Sequence, residues 1–275
     1  MKNQPKVAAS INSFWQWQDW QGLPYLTCTL LDNWRHGFFT QQFQTHSLAE
    51  LTEILAKGAE MYRVQQVHGN LILDPQAIKA HVQVQGKTDS YPAADGIVTN
   101  TPQAAVWVAS ADCTPVLIGD VVTGNVAAVH AGWRGTAKKI VPQAINQLIQ
   151  RGSQLENLRF ALGPAISGEV YQLTETVAAE VIKTIVAAAK EVGDSPQSIL
   201  QQASPWQNKA IFTDPQPGRI KIDVRQVSAI QISQLGVKPE HIAIAPHCTY
   251  QEPDKFFSYR RSKEKKVQWS GIVSS

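Results

Sequence analysis

Two histidines and one cysteine stand where apolar segments end, and they are the residues of this chain best suited to chemistry. His68 closes Arg63-Val64-Gln65-Gln66-Val67-His68 ahead of Gly69. Cys113 lies in Ser110-Ala111-Asp112-Cys113-Thr114-Pro115, a break between two apolar runs. His130 ends Val126-Ala127-Ala128-Val129-His130. Strand ends that feed loops are where a rigid scaffold presents functional groups. Two imidazoles and a thiolate are suitable zinc ligands, and three protein ligands with a fourth position open is the arrangement of a catalytic zinc site. The three residues are far apart in sequence, however, and match no short zinc pattern such as C-x-x-C. Spacing alone favours the ordinary reading of hydrogen-bonded core histidines and an inert buried cysteine.

A second signal surrounds His130. His130-Ala131-Gly132-Trp133-Arg134-Gly135-Thr136 runs into a helical pattern, so its glycines and the helix start offer backbone N–H groups to an anion. Arg134 would add bidentate contact to phosphate or carboxylate. Lys138 and Lys139 fall in the expected first helical turn, the unfavourable end for a cation. Solvent exposure accounts for them, and so would a bound phosphate. Asp112 is a candidate acid/base partner beside Cys113, with a loop-capping carboxylate as the equally good alternative.

The elements that must position these groups alternate irregularly. Residues 14–17 and 25–31 read as a hairpin around the turn-rich loop Asp19-Trp20-Gln21-Gly22-Leu23-Pro24. Ser47-Leu48-Ala49-Glu50 is a capping-box pattern opening a helix to about residue 57, with Gly58 as its stop. Strands are expected over 104–109, 116–120, 126–130, 159–163, 220–223 and 242–245. Apolar spacing marks a helix over 137–149 ending at Gly152, with a kink or late start at Pro142. A long helix over 174–191 and a helix over 224–235 follow. The polar stretch 194–217 reads as a loop. Consecutive strands in several places favour α+β architecture with mixed sheets over a doubly wound sheet.

Composition narrows the classes. With 275 residues, 43% hydrophobic and 17% charged, the chain can bury a core without disulfide staples. A net charge of +3 does not announce nucleic-acid binding. The cations Arg260, Arg261, Lys263, Lys265 and Lys266 cluster near the end and read as a solvated segment. Three widely spaced cysteines (Cys28, Cys113 and Cys248) suit a reducing compartment. No signal-type apolar region opens the sequence and no run approaches about 18 apolar residues, so a cytoplasmic location is expected.

Six segments together carry a family resemblance. Gln66-Val67-His68-Gly69, Ala94-Asp95-Gly96, Ala111-Asp112-Cys113-Thr114-Pro115, His130-Ala131-Gly132-Trp133-Arg134-Gly135, Gly163-Pro164 and Phe256-Phe257-Ser258-Tyr259-Arg260-Arg261 span residues 36–261 together with the early strand at His36. In order and content they resemble the YfiH-like family, also called laccase-domain or multicopper polyphenol oxidase-like. The resemblance implies one α+β domain over 1–275, built of layered mixed β-sheets flanked by helices. It implies Zn2+ held by His68, Cys113 and His130. It also implies purine nucleosides and phosphate as partners: phosphorolysis of adenosine, inosine, guanosine or methylthioadenosine to base and ribose-1-phosphate, with adenosine deamination in some members. Catalytic roles fall on Cys113, Asp112 and Arg134. Contacts to substrate or phosphate fall on Arg63, Gly132, Trp133, Arg134, Cys248, Phe257 and Arg260, with Cys248 as a pocket wall.

The chain departs from the family pattern in three places. Gln41-Gln42-Phe43 replaces an arginine and a Gly-rich turn, which makes Arg63 the substitute cation. Ala165 stands where many members have Cys, and Val267-Gln268-Trp269-Ser270 replaces a Thr-Gly-Arg segment. The rival chemistries are a copper-dependent polyphenol oxidase, a metal-free cysteine hydrolase with His130 as base, and a peptidoglycan-editing or envelope protein with structural zinc. Copper suits the same donors, but no His-x-His pair is present to build a multicopper centre. Structural zinc would need a fourth ligand, from Cys248 or His247.

Overall fold

The computed structural model describes residues 14–85, 90–186 and 195–275. Two six-stranded sheets form its centre. The first has the order β1 (Trp15–Trp20), β2 (Leu23–Cys28), β3 (His36–Phe39), β15 (Gln268–Val273), β7 (Ala104–Ser110) and β4 (Glu60–Tyr62). The second runs β14 (Ile242–Ile244), β10 (Leu158–Leu162), β8 (Thr114–Asp120), β9 (Val126–Ala131), β6 (Gly96–Thr99) and β5 (Ile72–Leu73). Each mixes parallel and antiparallel pairs; β4 with β7, β5 with β6 and β10 with β14 are the parallel ones. A small third sheet joins β11 (Gln172–Thr174), β13 (Arg219–Ile222) and β12 (Ile211–Thr213). The helices are α1 (Leu48–Leu55), α2 (Pro75–Gln85), α3 (Trp133–Ala137), α4 (Ile140–Gln150), α5 (Glu175–Ile182), α6 (Pro196–Gln202), α7 (Val224–Gln234) and α8 (Tyr259–Ser262). The architecture is the expected α+β arrangement of layered mixed sheets.

Strand alternation explains the layering. In β7, Val106 and Val108 face the core between the two large sheets, while Ala105 and Trp107 face the core under α1. In β8, Leu117 joins the inter-sheet core, and Val116 and Ile118 turn to the other face, where α4 and α7 pack. Both faces of the central strands are therefore apolar, and functional groups appear only where these strands end.

Several expectations are sharpened or corrected. The hairpin expected around 19–24 is present with a shorter loop: β1 and β2 run on to a two-residue turn at Gln21 and Gly22, both at positive φ (52° and 85°), the signature of the turn that matches strand twist. The helix expected over 137–149 shows the late start: it begins at Ile140 as α4, because Lys139 adopts a left-handed φ of 56° and separates it from α3, and Pro142 sits in its first turn. Lys138 and Lys139 are thus the exposed junction of two helices, not the first turn of one. The helix expected over 174–191 ends at Ile182, where tight turns close and the Thr184 hydroxyl bonds the Val181 carbonyl in competition with the helix; residues 187–191 of that expectation lie outside the described residues. The polar stretch 194–217 contains α6, capped by Ser195, and β12. Its scattered apolar residues Ile199, Ala203, Ala210 and Ile211 are buried in a separate core shared with α5, β13 and α7. Among the described residues no helix is long and apolar enough to cross a membrane.

Candidate active site

The ends of three elements meet at one point. His68 lies in the loop after β4, Cys113 between β7 and β8, and His130 in β9 just before Gly132 caps α3. Their donor atoms all lie within 4.8 Å of one another. The imidazoles of His68 and His130 are 4.9 Å apart and nearly perpendicular. His130 is buried, Cys113 half-buried and His68 exposed, so the cluster opens to solvent on the His68 side. Donors sharing a tetrahedral zinc stand about 3.3–3.8 Å apart, given bonds of about 2.0 Å to nitrogen and 2.3 Å to sulfur. The observed set is close to that size and has the right chemistry. Gly132 keeps the space clear, since a Cβ there would meet Cys113 Sγ at 2.9 Å and a carbon of the His68 ring at 3.3 Å.

Asp95, at the entrance to β6, organises this set. Its fully buried carboxylate accepts the backbone N–H groups of Val67 (3.2 Å), His68 (2.9 Å) and Gly69 (2.6 Å). His68 has a left-handed φ of 58°, which turns successive N–H groups toward one anion, as in a backbone nest. The same carboxylate accepts from Nδ1 of His130 at 2.9 Å. That bond fixes the ring's tautomer and leaves Nε2 to face the cluster, the support that metal-binding histidines usually have. Gln66 completes the frame. Its side chain accepts from the Ala109 N–H and donates to the Ala109 carbonyl, each at 2.7 Å, tying the His68 loop to the end of β7.

The electrostatics suit a metal ligand. Burial alone would raise the Cys113 thiol, but the charge and hydrogen bond of His130, then those of His68, outweigh it and hold the thiol well below its ordinary range. Burial would lower His130, yet the Cys113 thiolate and the Asp95 carboxylate raise it. Asp95 is likewise held low: the His130 ring and the Gly69 N–H outweigh its burial. Such a thiolate is the form that binds metal. Cys28, by contrast, is pushed up to about 12 by burial and is an inert core thiol.

The other residues named from the sequence fall in three groups. Arg134 and Arg260 flank the cluster. The Arg134 guanidinium stacks on Trp133 at 4.3 Å, and that of Arg260 on Tyr171 at 4.8 Å. The charges of Cys113, Arg260, Asp112 and Arg134 all act on the Tyr171 hydroxyl, so these groups share one neighbourhood. Asp112 and Cys248 lie behind them. Asp112 accepts the Thr249 hydroxyl and the Arg260 N–H, both at 2.7 Å, so both of its carboxylate oxygens are engaged. Its φ of 92° is a left-handed conformation that Asp tolerates better than most residues. Cys248 is buried, and its sulfur accepts the Ser167 N–H at 3.3 Å.

Arg63 and Phe257 form the third group. The Arg63 guanidinium is sandwiched between Tyr91 and Trp269 at 4.5 and 4.9 Å. Phe257 is tied through its backbone to Gln268 and lines a groove with Thr40, Lys266 and Trp269. His247 faces Glu252, so neither it nor Cys248 joins the cluster, which has three members among the described residues.

Sequence reasoning gave no role to Asp95, Gln66 or Tyr171. Asp95 could have been found: a carboxylate directly before the apolar run 96–99 has no reason to be buried unless it is partnered. Gln66 stands in the segment that carries His68, but its tie to Ala109, like the placing of Tyr171, depends on long-range contacts.

A family model described as multi-copper polyphenol oxidoreductase laccase matches residues 44–273. A protein of Synechocystis sp. named purine nucleoside phosphorylase is 46% identical over 96% of this chain and 98% of its own length. One of Mycobacterium bovis with the same description is 31% identical over 74% of this chain and 68% of its length. A protein named adenosine deaminase RL5, from an unknown prokaryotic organism, is 28% identical over 61% and 56%. Among solved structures, Bacillus licheniformis hypothetical protein YfiH superposes with a TM-score of 0.75 at 23% identity, covering 91% of this chain and 96% of that one. YlmD from Geobacillus stearothermophilus gives 0.74 at 20%, covering 94% and 98%. The chain therefore belongs to the multi-copper polyphenol oxidoreductase laccase family and has the YfiH fold.

Proposed function

We propose that this chain is a zinc-dependent purine nucleoside phosphorylase whose metal is bound by His68, Cys113 and His130. The observation that carries the reading is the meeting of an oriented His–Cys–His set with two stacked arginines in a chain 46% identical to a purine nucleoside phosphorylase. The site draws on residues from His68 to Arg260, so we assign it to one domain spanning 1–275. The three cysteines are free thiols, which suits action in the reducing cytoplasm.

In phosphorolysis a phosphate oxygen bonds to ribose C1′ as the bond from C1′ to the purine nitrogen breaks. The electron pair leaves with the purine, which takes up a proton, and ribose-1-phosphate remains. The residues here serve the first half of that exchange. Arg134 and Arg260 neutralise the phosphate and hold it beside the ribose, which converts a bimolecular encounter into a positioned attack. Trp133 and Tyr171 supply flat apolar faces beside them. Asp95 keeps the His68 loop and His130 in place throughout. Asp112 acts by fixing the Arg260 backbone, since both of its oxygens are already engaged. Zinc supplies Lewis-acid charge at the His–Cys–His end of the site.

The test is incubation of zinc-assayed protein with adenosine, with and without phosphate, beside Cys113→Ala. Adenine that forms only with phosphate, and not in the variant, is the expected result. Inosine forming without phosphate would favour a second reading, adenosine deamination, which the similarity to the protein named adenosine deaminase RL5 supports. Absence of both products from zinc-loaded protein would overturn the nucleoside reading. Copper satisfies the same donors, and rates with each metal on metal-free protein decide between them.

A further inference from the structure

Adjacent arginines on α8 have opposite fates. Arg261 is consumed by the fold: its Nη1 donates to the Thr249 and Tyr250 carbonyls and its Nη2 to that of Phe256. Arg260 gives its N–H to Asp112 and its Nη1 to the Gln172 carbonyl at 2.9 Å. Its Nε and Nη2 have no protein acceptor among the described residues, and neither does the Arg134 guanidinium. What holds the free end of Arg260 is a ring, that of Tyr171, 4.8 Å from the guanidinium carbon.

Tyr171 is built to be immobile. Its N–H donates to the Ser167 carbonyl at 3.0 Å, its carbonyl accepts from Ile222, and its side chain packs on the core of the third sheet. The hydroxyl has no protein partner among the described residues, and burial holds it far above the ordinary phenol range, so it stays neutral. The feature that engages Arg260 is the aromatic face.

We propose that the Tyr171 ring is the platform that holds the Arg260 guanidinium in place for an oxyanion, making Tyr171 a positioning residue for phosphate. Naming the anion as phosphate rests on the phosphorylase reading; the platform itself does not. The ring fixes the guanidinium plane from one side and leaves its free N–H groups to pair with an anion lying toward Cys113 and Arg134. Without the ring the cation keeps its charge but loses its orientation.

The experiment is calorimetric titration of zinc-loaded protein with inorganic phosphate, alongside phosphate KM and kcat. Tyr171→Phe should bind within about twofold of wild type, and Tyr171→Leu about tenfold more weakly at unchanged zinc content. Arg260→Gln should weaken phosphate as Tyr171→Leu does, and the double variant should be no weaker than Arg260→Gln alone, because one residue acts through the other. If Tyr171→Leu fails to fold, Tyr171→Met takes its place in the same cycle. Equal damage from Phe and Leu, wild-type affinity in Tyr171→Leu, additive losses, or no phosphate binding by wild type would overturn the proposal. Ring-dependent phosphate binding without phosphorolysis would sink the phosphorylase reading and leave this one standing.

Discussion

Asp95 and Asp112 invite comparison, because both are buried carboxylates next to the same cluster and they hold opposite halves of it. Asp95 collects three backbone N–H groups of the His68 loop and the ring of His130. Asp112 collects one N–H from α8 and the Thr249 hydroxyl. The first organises donors for a metal; the second organises the segment that carries Arg260. Neither oxygen pair is free for proton transfer in this arrangement. On the proposed function, the metal ligands and the phosphate-binding arginine are therefore held by separate contacts and can be damaged separately.

Asp95→Ala attacks the metal half and should have the largest effect. Removing such an orienting carboxylate lowers metal affinity about 10- to 100-fold. Competition with a chromophoric chelator measures it, and unchanged affinity would show that the Asp95 contacts do not support the ligands. Gly132→Ala comes next. The new methyl must displace the Cys113 sulfur, and overpacking of this kind costs about 1–3 kcal/mol. Zinc content and thermal melts should fall together; a variant with full zinc and an unshifted melt contradicts the close approach.

Asp112→Asn sharpens the comparison from the other side. Asn also tolerates the left-handed backbone, so the fold and zinc content should persist. Loss of the charge-assisted bonds to Arg260 and Thr249 should raise the phosphate KM several-fold to about tenfold. Loss of zinc instead would merge the two halves into one.

The smallest effect concerns a histidine outside both halves. His36 is buried and neutral, its Nδ1 donating to the Trp34 carbonyl and its Nε2 accepting from the Cys28 N–H. Burial lowers its pKa in the folded state, against the partial opposition of those contacts. A depressed histidine contributes stability that is present above its unfolded pKa near 6.5 and lost as pH falls below it. Melting temperatures of wild type should therefore decline from pH 7 toward 5 more steeply than those of His36→Gln. Parallel declines would remove His36 from the acid response.

Sequence conveyed the two halves unequally. The apolar alternation of β7, β8 and β9 was legible because both faces are buried, and so was the capping box of α1, whose Ser47 and Glu50 bond each other as the pattern implies. The nearness of His68, Cys113 and His130 was not legible from spacing, since β4 and β7 belong to one sheet and β9 to the other, and only the packing of the two sheets brings their ends together. The family resemblance, not periodicity, grouped them. The setting of Arg63 was not legible either: its guanidinium lies between two rings, those of Tyr91 and Trp269. The stretch 194–217 read as a loop because its few apolar residues, buried against α5 and β13, are diluted by Gln and Ser.

The most direct test of the account is to strip the metal, assay phosphate-dependent adenine release from adenosine, and restore zinc in measured steps. Activity should disappear with the metal and return in proportion to zinc, saturating at one ion per chain, with no recovery in Cys113→Ala. Undiminished phosphorolysis by metal-free protein, or by Cys113→Ala, would contradict the claim that His68, Cys113 and His130 form the working centre.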